Sequence, residues 1–259
     1  MIDLQSTPDH RGIGIDRVGV KGLRYPIKVR TRDGGFQQTI ADFGLFVDLH
    51  PKYRGTHMSR FIEALDRFAE LELTAFTIPD LLNDLRRRLD AETAEVEVGF
   101  PYFIRKSAPV SGKSALVDYR CHFVGQMDGT LEFRYGVTTP VTTLCPCSKE
   151  ISDYGAHNQR SEVTLSIRST ESNLIWFEEM IEWVEACASA PVYSLLKRED
   201  EKFVTEQAYD NPVFVEDVVR ALAEKLNANH AITWFRISSE NFESIHNHNA
   251  FAMIERSKE

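Results

Sequence analysis

The sequence is short of cysteine, of long apolar runs and of positive charge. Four cysteines in 259 residues (Cys121, Cys145, Cys147 and Cys187) are too sparse for a disulfide framework. They predict a reducing, cytoplasmic setting. No stretch approaches the roughly 18–20 apolar residues that span a bilayer. The first nine residues, Met1 to Asp9, have neither the basic nor the apolar segment of a secretory leader. Lys and Arg number 30 against 39 Asp and Glu, a net charge of −9. Nonspecific nucleic-acid binding needs basic stripes, so that class is disfavoured, and no membrane partner is expected. Neither G-x-G-x-x-G nor G-x-x-x-x-G-K-[ST] occurs, which removes those two routes to nucleotide binding.

What is present fits a folded globule. Apolar residues make up 42% and charged residues 27%, enough for a sizeable core. After a polar arm over 1–13, strand patterns begin near Gly14. Phe43, Leu45, Val47 and Leu49 alternate with Gly44, Phe46 and Asp48, which predicts a strand covered in part on both sides. Over 59–71 the period becomes helical, with Phe61, Ile62, Leu65, Phe68 and Ala69 on one face. A second helix starts at Thr77 as N-cap, with Pro79 and Asp80 in its first turn. Alternation returns in 95–98, 131–135 and 162–167, with an Asp128-Gly129 hairpin signal. Further helices are predicted over 174–187 and 213–227, then strands over 232–237 and 251–254. Helices grouped in pairs between runs of strands argue for α+β with antiparallel sheets. The layout divides into units over 14–130 and 131–259 without an evident sequence repeat.

Three segments are dense in reactive side chains. The first runs from Thr142 through Cys145-Pro146-Cys147-Ser148-Lys149 to His157-Asn158-Gln159-Arg160, and reads as a loop between strands. Thiolate sulfur with imidazole suits zinc or another borderline divalent ion. A one-residue Cys spacing is not that of a structural zinc ribbon, and two small buried residues beside a solvated His is the bland alternative. The second is Leu195 to Lys202, a mixed-charge run that reads as a solvated turn or as carboxylates and cations for metal and phosphate. The third is Glu240 to Asn249, where His246 and His248 share a side if the chain is extended. His50 to Phe61, with Lys52 and Arg54 ahead of a helix, is a phosphate-site candidate or an ordinary helix start. Cys121 and Cys187 read as core.

Together these stretches resemble the type IB GTP cyclohydrolase I family. The resemblance rests on Gln5–Pro8 with Asp9-His10-Arg11-Gly12, on Gly55-Thr56-His57-Met58-Ser59-Arg60, and on Cys145-Pro146-Cys147-Ser148-Lys149. It continues in Gly155-Ala156-His157-Asn158-Gln159-Arg160, Leu196–Glu201 and Ser244-Ile245-His246-Asn247-His248. It implies the tunnelling fold, in which a four-stranded antiparallel sheet carries two helices on one face. It also implies two such units, assembly into barrels as a homotetramer, and sites at subunit interfaces. The implied reaction converts GTP and water to 7,8-dihydroneopterin triphosphate and formate, the first step of tetrahydrofolate biosynthesis.

The resemblance also implies residue roles. Cys147, with Cys145 as the lesser choice, His157 and Glu201 are implied as ligands of manganese or zinc, and Glu199 is the alternative to Glu201. His157, His246 and Glu243 are implied at the catalytic centre. Glu216 matches the carboxylate that anchors the heterocycle. Lys149, Arg160, Lys197, Arg198, Lys52 and Arg54 are the cations available for a triphosphate. Water is a poor nucleophile toward C8 of guanine, so a divalent ion with an open position fits the chemistry. The rival readings are a tunnelling-fold nitrile reductase with a Cys nucleophile and NADPH, a non-catalytic pterin- or nucleotide-binding protein, and a structural zinc protein.

Overall fold

The computed structural model describes residues 5, 7–68, 77–170 and 173–258. Nine strands and six helices follow in the order β1 (Ile15–Arg30), β2 (Phe36–Leu49), α1 (Met58–Phe68), α2 (Ile78–Leu89), β3 (Ala94–Ser107), β4 (Ser114–Met127), β5 (Leu131–Leu144), α3 (Pro146–Ile151), β6 (Asn158–Ser169), α4 (Phe177–Glu185), β7 (Ala190–Pro191), α5 (Arg198–Asp210), α6 (Val215–Ala228), β8 (Ile232–Asn241) and β9 (Ala250–Ser257) among the described residues. The chain divides into two compact units. One comprises Met1–Pro101 with His122–Arg134, the other Tyr102–Cys121 with Tyr135–Glu259. Both units are discontinuous in sequence, because Tyr102–Ser107 of β3 and Ser114–Cys121 of β4 group with the second unit.

In the first unit, β1 pairs antiparallel with β2 and β2 with β3. Ala41, Phe43, Leu45 and Val47 of β2 point into a core closed by Phe61, Ala64 and Leu65 of α1 and by Ile78, Leu81, Leu82 and Leu85 of α2. Alternate side chains share a face, so Phe46 lies on the opposite side. Its ring is covered by the Arg17 guanidinium, 3.6 Å from the centroid, and Arg17 pairs with Glu95 and Glu97. That is why β2 reads as apolar on both faces. Helix α2 rests so closely on β4 that a Cβ on Gly125 would stand 2.7 Å from Ile78 Cγ2. The turn joining β4 to β5 places Gly129 at φ +106°, in the region that favours glycine. The expected helix end at 69–71 lies outside the described residues, as do residues 1–4 and 6 of the arm. The described part of the arm is not a free tail. Backbone N–H groups of Arg54 and Gly55 donate to the carbonyls of Thr7 and Gln5, and that of Asp9 donates to Lys52.

In the second unit β5 pairs with β6, β6 with β8 and β8 with β9, all antiparallel, while the short β7 adds to β5. Val137, Val141, Val163, Leu165, Ile167, Phe235 and Ile237 form the sheet side of the core. Phe177, Met180, Ile181 and Val184 of α4, with Val215, Val218, Val219, Leu222 and Leu226 of α6, form the helix side. Each buried aliphatic side chain of this kind contributes about 1.5–3 kcal/mol. The architecture is α+β, with antiparallel strands and paired helices, as the grouping of patterns predicts. No helix among the described residues is long and apolar enough to cross a membrane. All four cysteines are free thiols. Cys121 is buried and Cys187 half-buried, and burial raises both thiols above their ordinary range.

Two expectations need correction. The segment from Thr142 to Arg160 is not all loop: Thr142–Leu144 closes β5, α3 follows, and Asn158–Arg160 opens β6. The mixed-charge run after Leu195 is not a turn but the first turns of α5. Asp200 explains why. Its buried carboxylate accepts from the backbone N–H groups of Val110, Ser111 and Lys197 and from the Ser111 hydroxyl. Burial opposes ionisation there, but those four donors outweigh it and hold the carboxyl below its usual range.

Candidate active site

The residues of interest cluster where β5 ends and β6 begins, at one end of the second unit. Cys145 is the N-cap of α3, and its Sγ accepts from the Ser148 N–H at 3.4 Å. Ser148 Oγ in turn accepts from the His157 N–H at 3.2 Å, and the Cys145 N–H donates to the His157 carbonyl at 3.1 Å. These bonds close residues 145–157 into a tight loop and bring His157 back beside the cysteines. Cys145 is thereby occupied as a cap, whereas Cys147, one position into the helix, is exposed.

Beyond His157 the chain enters β6, and the β8–β9 connection folds over the same end. The Phe242 N–H donates to the Arg160 carbonyl at 3.0 Å, which places residues 242–249 alongside the start of β6. Glu243 Oε2 lies 3.8 Å from His157 Nδ1, and both side chains are nearly buried. The His246 ring stands edge-on to His157 with centroids 6.4 Å apart. His248 stacks on His246 at 5.2 Å. The two loop histidines therefore do share a side, through ring stacking in a turn rather than through strand alternation.

A buried polar chain supports His157 from below. Thr143 and Gln159 are direct partners across β5 and β6, and Ser161 and Asn241 across β6 and β8. All four point toward the core, and all four are buried. His157 Nδ1 and Gln159 Oε1 are 3.0 Å apart, and Gln159 Nε2 donates to Thr143 Oγ1 at 2.9 Å. Thr143 Oγ1 and Ser161 Oγ are 2.8 Å apart, and Ser161 Oγ donates to Asn241 Oδ1 at 2.7 Å. Sequence reasoning missed these residues. The signal was present, because polar side chains at core-facing positions of three neighbouring strands break the apolar alternation.

The remaining candidates are more dispersed. Glu216 is exposed in the first turn of α6. The loop before that helix is tied to the end of β5, since the Val213 N–H donates to the Leu144 carbonyl at 3.1 Å. Lys149 is engaged within the fold. Its Nζ donates to the Tyr209 carbonyl at 2.5 Å and lies 4.3 Å from the Tyr209 ring centroid. Arg160, Lys197 and Arg198 are exposed. Glu199 and Glu201 are both exposed in the first turn of α5. Residues two apart on a helix face different ways, so one neighbour engages one or the other, not both. Glu201 precedes Tyr209 by two turns, about 12 Å along the axis. Lys52 and Arg54 belong to the first unit.

The donor types suit a borderline divalent ion. Cys147 offers an exposed sulfur, His157 an imidazole whose Nδ1 is already engaged, and Glu201 a hard oxygen. Among the described residues no group of three His, Cys, Asp or Glu side chains is already gathered around one point. Cys147, in α3, and His157, just before β6, are drawn together by the 145–157 hydrogen bonds, while Glu201 lies apart on α5.

Known proteins resemble this chain along nearly its whole length. The family described as Type I GTP cyclohydrolase folE2 matches residues 1–252. A protein named GTP cyclohydrolase FolE2 from Syntrophotalea carbinolica is 53% identical, over 98% of this chain and 95% of its own. Its namesake from Geobacter sulfurreducens is 51% identical, over 100% and 99%. That from Syntrophus aciditrophicus is 53% identical, over 99% and 100%. Among solved structures, uricase from Arthrobacter globiformis superposes with a TM-score of 0.57 at 10% identity, covering 95% of both chains. Urate oxidase from Bacillus sp. TB-90 gives a TM-score of 0.56 at 9% identity, covering 95% of this chain and all of its own. At such identities the likeness concerns the fold alone, and it places the chain in the tunnelling-fold architecture.

Proposed function

Because the chain belongs to the type I GTP cyclohydrolase FolE2 family, we propose that it converts GTP and water to 7,8-dihydroneopterin triphosphate and formate, the entry to tetrahydrofolate. The observation that carries this reading is the meeting of the Cys147–His157 loop with the Glu243–His248 loop at one end of the second unit. The type IB designation rests on the motif resemblance alone, since the family and its relatives carry the name FolE2.

In this reading Cys147, His157 and Glu201 hold manganese or zinc. The ion, when bound, lowers the pKa of water from 15.7 toward about 7, which makes hydrolysis at guanine C8 feasible at neutral pH. The chain's own groups do the rest. Glu216 accepts hydrogen bonds from the guanine N1–H and 2-amino group. Adenine lacks that donor pair, and a site built around such bonds rejects the wrong base strongly. Ring opening leaves an imidazole nitrogen that must gain a proton. In this reading His246, exposed beside His157, delivers it, while Glu243 steadies the His157 side of the pair. Arg160, Lys197 and Arg198 are the exposed cations that draw a triphosphate toward an otherwise acidic chain. Lys149 is a weaker choice, because the Tyr209 carbonyl occupies its ammonium group.

The family resemblance extends the proposal to a homotetramer with its sites where subunits meet, working in the cytoplasm. A neighbouring copy is one source of the carboxylate that a single chain leaves apart from Cys147. The deciding experiment is formate release from GTP by purified protein, stripped with a chelator and resupplied with manganese, zinc or magnesium. Activity near zero in the stripped enzyme and its return with manganese is the expected result. GTP binding without formate would leave a binding protein. Metal-independent oxidation of NADPH with reduction of an added nitrile to an amine would make Cys147 a nucleophile, and unfolding on chelation would make the metal structural.

A further inference from the structure

The hydrogen-bond chain beneath His157 has a direction, and that direction fixes a property of the imidazole. A neutral imidazole carries its proton on Nδ1 or on Nε2. The partner of Nδ1 selects between them, and that partner is the Gln159 carboxamide, 3.0 Å away. An amide can present either its oxygen or its NH₂ group, so the choice passes down the chain. If Ser161 gives its proton to Asn241 Oδ1, its oxygen must accept from Thr143. The Thr143 oxygen must then accept from Gln159 Nε2, which turns Gln159 Oε1 toward the ring. Reversing every bond would instead point the NH₂ at Nδ1. Glu243 breaks the tie. Its carboxylate, which only accepts when ionised, stands 3.8 Å from the same nitrogen. Two oxygens facing Nδ1 favour a proton there.

We propose that Gln159 is a positioning residue: anchored through Thr143 and Ser161 to Asn241, its Oε1 accepts the Nδ1–H of His157 and holds the ring in the Nδ1–H tautomer, with the Nε2 lone pair free for a cation or a proton. Burial of all four supporting residues makes the arrangement rigid, because a polar group left mispaired there loses its bond with no water to replace it. The consequence for catalysis rests on the role given to His157 above. The tautomer itself does not, and can be measured without turnover.

The test is 15N NMR of histidine-labelled full-length protein, metal-free, at about pH 8.5, where an imidazole of ordinary pKa is neutral. The wild type is expected to show a protonated Nδ1 and an unprotonated Nε2 for His157, assigned by loss of the signals in His157→Asn. Gln159→Leu keeps the bulk but removes the acceptor, and is expected to give a mixture of tautomers. Gln159→Glu restores an acceptor and should restore the Nδ1–H form, a rescue that simple repacking would not produce. Thr143→Val frees the carboxamide to invert and should shift the ring toward Nε2–H, which keeps the idea testable if Gln159→Leu fails to fold. An Nε2–H wild type, or a Gln159→Leu spectrum like the wild type, overturns the proposal. In parallel, Gln159→Leu should weaken metal affinity or kcat by about 10–100-fold, the usual effect of removing a ligand's supporting bond, with little change in the KM for GTP. If the tautomer moves as expected while formate release does not, the positioning stands and the catalytic reading of His157 fails.

Discussion

In the first unit Asp84 of α2 is buried among guanidinium groups. In the second, the four linked polar residues beneath His157, Thr143, Ser161, Asn241 and Gln159, carry no formal charge. Asp84 accepts from Arg88 Nε at 2.6 Å and from Arg87, and Arg67 of α1 stands 3.7 Å away. Every partner lies on the same two helices, so the cluster closes on itself and joins α1 to α2. The neutral chain is open at one end, where it meets the nearly buried His157 imidazole. A closed charged cluster can only add stability. An open neutral one transmits orientation to a reactive group without adding a charge of its own. Substitutions in the two regions should therefore separate, with activity lost in one and stability in the other.

The largest effect is expected at Cys147. Cys147→Ala should reduce formate release to background, while circular dichroism and the melting temperature stay near wild type, because an exposed side chain contributes within about ±0.5 kcal/mol. Retained activity would remove the proposed metal site. Next comes Glu216→Ala. It should raise the KM for GTP by about 100-fold with a smaller change in kcat, consistent with the loss of a paired hydrogen-bond acceptor. It should cost under about 1 kcal/mol of stability from the helix N-terminus. An unchanged KM would reject the anchor role. Together these two ask whether the open end of the second unit is where function resides.

Much of this contrast was legible in the sequence, and the illegible parts have physical causes. Helices α1, α2, α4 and α6 each bury an apolar stripe, so periodicity reveals them. Helix α5 buries only Asp200 and Ala208, and α3 buries nothing among its six residues. Without an apolar stripe there is no period to read, and both are held by caps and hydrogen bonds from elsewhere. The reactive residues Cys147, His157, Glu243 and His246 stood out by type and spacing. Their supports did not, because Thr, Ser, Asn and Gln are common residues, and only strand register shows that Thr143 opposes Gln159 and Ser161 opposes Asn241. Lys149 looked like a free cation until the Tyr209 carbonyl was seen to occupy it.

The smallest effect sharpens the comparison from the other side. Burial pushes the Asp84 carboxyl up, but hydrogen bonds from Arg88 and Arg87 and the charges of Arg88 and Arg67 outweigh it and leave the group below the ordinary carboxylate range. A depressed folded-state pKa stabilises the fold above the unfolded value, near 3.9, and that contribution disappears as pH falls through the folded value. Asp84→Asn should thus cost about 1–2 kcal/mol at pH 7, the worth of charge-assisted bonds discounted for exposed arginine partners. The deficit, read as a lower urea midpoint, should shrink below about pH 4, where the unfolded chain's carboxylate takes up a proton before the folded one does. GTP turnover of the folded protein should be unchanged. A turnover defect with an intact fold would mean that the charged cluster of the first unit is coupled to catalysis, and the division of labour between the two kinds of buried polar group would fail.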